Sequence, residues 1–129
     1  MKGVKVYQPI GKSGFITPFL EGLEPKLREK LVWRIYFLSH TPLEELKEPH
    51  YKHFSIERYS SLYEVRERVR VLIRIIFTYW DGDVLLLNAF VKRKQRDTMQ
   101  ALEQSLRILA ELQNHPEYAV EFIVKEEQS

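Results

Sequence analysis

Apolar and polar positions follow two different rhythms along this chain. Leu20, Leu23, Leu27, Leu31, Ile35 and Leu38 recur at spacings of three and four, the mark of a helix with one buried stripe. Thr17-Pro18 ahead of them reads as an N-cap followed by the proline of a first turn. Gly22 and Pro25 interrupt the stripe, so the pattern predicts two helical pieces with a break near 22–25. Lys26, Arg28, Glu29, Lys30 and Arg34 make the solvated face. Upstream, Val4, Val6 and Tyr7 suggest a short opening strand. Thr41-Pro42 and Glu48-Pro49 bracket a segment of about one helical turn.

From Tyr59 the period changes to two. Leu62 to Arg66 reads as a strand, and Val69 to Trp80 as a longer one. Val71, Ile73, Ile75, Phe77 and Tyr79 share one face of it; Arg70, Leu72, Arg74, Ile76 and Thr78 share the other. Asp81-Gly82-Asp83 is a hairpin signal, because Asp-Gly supplies the positive φ angles of a type I′ turn. A third strand, Val84 to Lys92, completes an antiparallel meander over 62–92. Asp97 or Thr98 then caps a final helix, whose buried stripe is Met99, Leu102, Leu106 and Leu109, and Asn114 to Pro116 stop it. Tyr118 to Val124 has strand-like composition, and Glu126 to Ser129 reads as frayed. The expected organisation is one domain over 1–116 with an extension over 117–129.

Composition narrows the chemistry. With 129 residues, 44% hydrophobic and 29% charged, the chain suits a single folded domain and not a disordered or fibrous one. Cysteine is absent, which removes disulfides, thiolate metal sites and a cysteine nucleophile. The apolar run from Val84 falls far short of the roughly 20 residues that span a bilayer. The opening residues lack a secretory core, so a cytoplasmic protein with no membrane partner is expected. Gly11-Lys12-Ser13-Gly14 is no phosphate loop, since Val6 stands where that motif needs its first glycine. His50 and His53 are three apart with no acidic pair at ligand spacing, so no metal or other cofactor is expected. They read as exposed loop histidines, and the sharper reading makes one of them a general base.

Net charge is only +2, but it is unevenly spread. Residues 58–98 hold nine basic groups against five acidic ones, and the rest of the chain eleven against thirteen. Strand alternation puts Glu64 with Arg66, Arg70 with Arg74, and Asn88 with Lys92 on one common face. Tyr63, Val65, Ile73, Ile75, Phe77, Leu85, Leu87 and Val91 fall on the opposite, core side. A row of guanidinium and ammonium groups across a sheet suits consecutive phosphates. The competing reading is cross-strand pairing of Glu64 or Glu67 with a neighbouring arginine.

Read in order, several segments resemble one known group. These are Thr17-Pro18-Phe19-Leu20-Glu21-Gly22-Leu23, Ser61-Leu62-Tyr63-Glu64-Val65-Arg66, Arg70 through Tyr79, and Leu85 through Arg93. Together they resemble the RelE/HigB toxins, and among those the branch of phage-derived proteins. The resemblance implies a small α+β fold, a twisted antiparallel sheet with N-terminal helices packed on one face and a C-terminal helix. It implies a metal-independent mRNA endoribonuclease of a type II toxin–antitoxin system, acting by 2′-hydroxyl attack on a held phosphate. The implied partners are mRNA, the ribosome and a cognate helix-turn-helix antitoxin. Carried over, Arg66, Arg74 and Lys92 match the catalytic positions. Lys52, His53, Arg70, Arg93, Lys94 and Arg96 are the expected RNA contacts. The alternatives are a ParE-like gyrase inhibitor without nuclease activity and a non-catalytic phage-associated binding protein of the same fold.

Overall fold

A computed structural model describes residues 2–124. Its elements run β1 (Val4–Tyr7), α1 (Ile16–Glu21), α2 (Pro25–His40), β2 (Tyr51–His53), β3 (Tyr63–Arg68), β4 (Leu72–Trp80), β5 (Asp83–Lys92), α3 (Gln95–Asn114) and β6 (Ala119–Glu121). The strands form one sheet in the order β2-β3-β4-β5-β1-β6. All neighbours are antiparallel except β1 and β5, which run parallel, so the sheet is mixed where a purely antiparallel one was expected.

Local chemistry explains most boundaries. α1 and α2 separate where Gly22 and Pro25 fall: the Gly22 amide donates back to the Pro18 carbonyl at 3.1 Å, and Pro25 opens α2. Thr17 lies inside α1, whose N-cap is Phe15. Pro18 still falls in the first turn, where a missing N–H costs nothing. Asp81 and Gly82, at φ +50° and +83°, form the expected hairpin between β4 and β5. α3 opens at Gln95, earlier than the predicted cap. Asp97 acts from within its first turn, accepting the Arg93 and Lys94 amides at 2.8 and 2.9 Å. The predicted 69–80 strand begins only at Leu72, because Val69 to Val71 form a turn with Arg70 at φ +27°. β2 was not foreseen; β6 realises the strand-like tail, and the frayed residues 126–129 lie outside the described residues.

The sheet is covered on both faces. On one side Leu31, Ile35 and Leu38 of α2 pack on Ile73, Ile75 and Phe77, as the stripe predicts. On the other, Ala101, Leu102, Ile108 and Leu112 of α3 pack on Ile76, Leu85 and Leu87, with Phe54, Tyr59 and Leu62 beside them. Leu85 and Leu87 therefore face α3, not the α2 core. A β-bulge is the reason: Ile76 lies opposite Asn88 but Phe77 opposite Leu86, so Leu87 is an extra residue and the alternation of β5 changes phase. Arg58 closes this second layer with a two-point ion pair to Glu103 of α3, at 2.7 and 2.9 Å.

Candidate nucleic-acid interface

Register decides which cations meet. Arg66 lies directly opposite Arg74, and Arg74 opposite Phe90. One row further on, Arg68 lies opposite Leu72 and Leu72 opposite Lys92. Cross-strand partners project from the same face, so Arg66, Arg68, Arg74 and Lys92 share one side of the sheet. Lys52, opposite Glu64 on the edge strand, joins them. This face is open only in part, since α3 occupies the portion around Ile76, Leu85 and Leu87.

At the centre sits an ion cluster. Glu64, with 1% of its side chain exposed, takes the Arg66 Nε at 2.7 Å and lies 3.4 Å from the Arg74 Nε through the same Oε1. Its Oε2 is buried without a hydrogen-bond partner among the described residues. Arg74, 10% exposed along its side chain, adds one long contact from Nη1 to the Ile73 carbonyl at 3.4 Å. Burial, reinforced by neighbouring Arg66, draws the Arg74 pKa below the usual guanidinium value against the pull of Glu64. Arg66 also reaches Glu48, an exposed carboxylate, at 3.6 Å. The arrangement places two guanidiniums on one buried carboxylate, with a local charge of +1 before Glu48 is counted. Cross-strand pairing, the competing reading, is thus physically present at this site.

The other expected contacts are dispersed. Arg70 stands on the exposed β3–β4 turn and not on the strand face with Arg74, because the turn removes it from the alternation. That turn lies at the same end of the sheet as Lys92, given the Arg68–Leu72–Lys92 row. Arg93, Lys94 and Arg96 are exposed on the link into α3 and its first turn. His53 lies on the opposite face: it is across from Tyr63, which is across from Phe77 on the α2 side. It is therefore separated from Arg74 by the sheet itself. Arg68, absent from the expected contacts, joins the row, and alternation from Arg66 was the signal for it.

Glu67 has a different role. Burial works against its charge, but Arg34, the Arg68 amide and Lys30 outweigh that and hold its carboxyl below the usual range. Arg34 donates to it from α2, and Lys30 stands at 3.4 Å, so Glu67 ties α2 to β3. Among the described residues, no group of three or more His, Asp or Glu stands close enough to hold a metal ion. No helix among them is long and apolar enough to cross a membrane.

The chain thus has an α+β fold, with helices packed on a six-stranded sheet that carries a row of cationic side chains. The sequence matches the phage-derived protein Gp49-like family (DUF891) over residues 18–112, and the chain belongs to that family. No curated protein matches the chain. No solved structure matches it either.

Proposed function

We propose that this protein is the toxin of a type II toxin–antitoxin system, a RelE/HigB-type endoribonuclease that cleaves mRNA in the cytoplasm on the ribosome. Membership of the Gp49-like family supports the toxin reading, because that family is RelE-like. The observation that carries the catalytic part is the direct cross-strand pair Arg66–Arg74, which shares a single buried carboxylate. When the 2′-hydroxyl oxygen attacks phosphorus, the 5′-oxygen leaves and charge accumulates on the phosphoryl oxygens. Guanidiniums set in place beforehand, Arg66 by its hydrogen bond to Glu64 and Arg74 beside the same carboxylate, meet that charge with little reorganisation, which is where such donors lower a barrier most. Lys92, at the end of the same face, stabilises the leaving oxygen or a flanking phosphate. Arg93, Lys94, Arg96 and Lys52 supply the salt-sensitive part of binding. A helix-turn-helix antitoxin is the proposed inhibitor.

Because Glu64 neutralises part of the cluster, a second reading is favoured by a specific observation: a non-catalytic binding protein in which Arg66 and Arg74 serve the fold. Induced expression with mapping of mRNA 5′ ends separates the two, and also separates message cleavage from a ParE-like attack on gyrase. Arg74→Ala should cut cleavage about 100- to 1,000-fold. It should leave the fold intact, since Glu64 keeps Arg66 at 2.7 Å. Unchanged cleavage in folded Arg74→Ala would overturn the catalytic assignment; the absence of new 5′ ends with the wild-type chain would favour the binding protein.

A further inference from the structure

Edge strand β2 joins the arginine face to a second feature on the α2 side. His53 stacks on Tyr63 with centroids 4.6 Å apart and planes 20° from parallel, and Tyr63 stacks on Phe77 at 5.4 Å and 24°. Tyr79 meets both inner rings edge-on, which fixes their planes. The row starts in the core, where Phe77 is buried, and ends in solvent at His53. His53 Nε2 lies 2.6 Å from the Ser60 carbonyl, so the terminal ring is held in orientation. Beside it opens a cleft of about 270 Å³ lined by Tyr51, Lys52, His53, Tyr63, Phe77 and the turn carrying Glu44. A more open groove along Lys47, Glu48 and Lys52 adjoins it.

We propose that this cleft takes one unpaired nucleobase of single-stranded RNA, stacked as the next ring of the His53–Tyr63–Phe77 row, with its phosphate on Lys47 and Lys52. The proposal rests on the RNA reading above. Size fits: the cleft is just below the roughly 300 Å³ at which drug-sized pockets begin, the scale of a single ring system. Position fits as well. Lys52 projects with Glu64 on the arginine side, and its neighbour His53 projects with Tyr63 on the other. RNA leaving Arg66 and Arg74 therefore reaches the stack by crossing one edge strand. Glu44 and Glu48 offset part of the lysine charge, so ring stacking carries most of the affinity.

The test uses the full chain and 2′-O-methyl oligoribonucleotides, which lack the attacking hydroxyl, carrying 2-aminopurine at each position in turn. One position should lose fluorescence on binding. His53→Ala should abolish that quenching and weaken binding roughly 5- to 100-fold, the range for losing one base–aromatic stack. His53→Phe should restore both. Unchanged quenching and affinity in His53→Ala, with Arg74→Ala weakening binding, would overturn this site and leave the RNA reading standing. No binding of any oligonucleotide by the wild-type chain at low salt would overturn both.

Discussion

Neutralising Glu64 should move stability and anion binding in opposite directions. The Glu64→Gln substitution keeps shape and removes one charge from a carboxylate only 1% exposed. At separations of 2.7 and 3.4 Å from the two Nε atoms, Coulomb attraction in an effective dielectric of about 20 is about 5–6 kcal/mol per pair before desolvation is counted. Returning a carboxylate to water recovers much of that, and Arg66, a quarter exposed, regains some hydration. Breaking a buried pair commonly costs about 3–5 kcal/mol, so the lower end, about 3 kcal/mol, is expected here. For a chain of 129 residues this is about 10 °C in thermal midpoint. The variant then leaves Arg74 without its countercharge and Arg66 with only the exposed Glu48, so it should bind RNA more tightly, and phosphate or sulfate should recover part of its lost stability. Urea titration by circular dichroism measures the first effect; a phosphate series of thermal melts measures the second. A cycle with Arg74→Met isolates the coupling, expected at about 1–3 kcal/mol. A Glu64→Gln protein with unchanged midpoint and no phosphate response would refute the view that this carboxylate holds the arginines.

The remaining expectations concern the fold and its acid limit. Leu87→Ala, at the bulged residue under α3, should cost about 2–5 kcal/mol in denaturant unfolding, a typical cost for emptying a buried leucine site; a cost near zero would mean that α3 does not seal a second core. Glu67 has a folded pKa below its ordinary value. Its contribution is therefore full above the unfolded value near 4.3 and is lost as pH falls through the folded one. Stability should accordingly drop below about pH 4, with a shallower drop in Glu67→Gln; equal acid limbs for the two proteins would count against the tie between Glu67 and Arg34.

The legible parts of this molecule are those set by local chemistry. The α2 stripe, the Gly22–Pro25 break and the Asp81-Gly82 turn each follow from a single short pattern, and each stands where the pattern put it. That Arg66 and Arg74 share one face followed from alternation in the two strands, whereas their direct pairing depends on where the β3–β4 turn falls. What strict alternation missed depends on non-local fit. The bulge at Leu87 answers the need to cover α3, and only the unbroken run Val84-Leu85-Leu86-Leu87 hinted at a strand buried on both faces. Arg70 left the predicted strand because the β3–β4 connection needs a residue at positive φ. β2 is three residues long and borrows its stability from β3, so it carries little periodic signal of its own. β1 entered parallel beside β5, a pairing that no local motif specifies.

These non-local features also explain why the arginines stand where they do. An arginine in mid-strand on a sheet covered by two helical layers would ordinarily be an error of patterning. α3 covers Leu85, Leu87 and Ile76, and the ladder row of Arg66, Arg74 and Phe90 lies just beyond Ile76, toward the Lys92 end. The second core thus sets the boundary of the cationic row, because apolar side chains from Tyr59 to Leu112 take the adjoining space and exclude water from one flank. In that position two guanidiniums cannot stand unpaired, and Glu64 supplies the countercharge that lets the strand fold. One buried carboxylate serves two cations, and the second carboxylate, Glu48, is exposed and reaches only Arg66. An incoming phosphate would therefore compete with the exposed Glu48 for Arg66 and add to the single buried carboxylate at Arg74, whereas a second buried carboxylate here would weaken the site for anions.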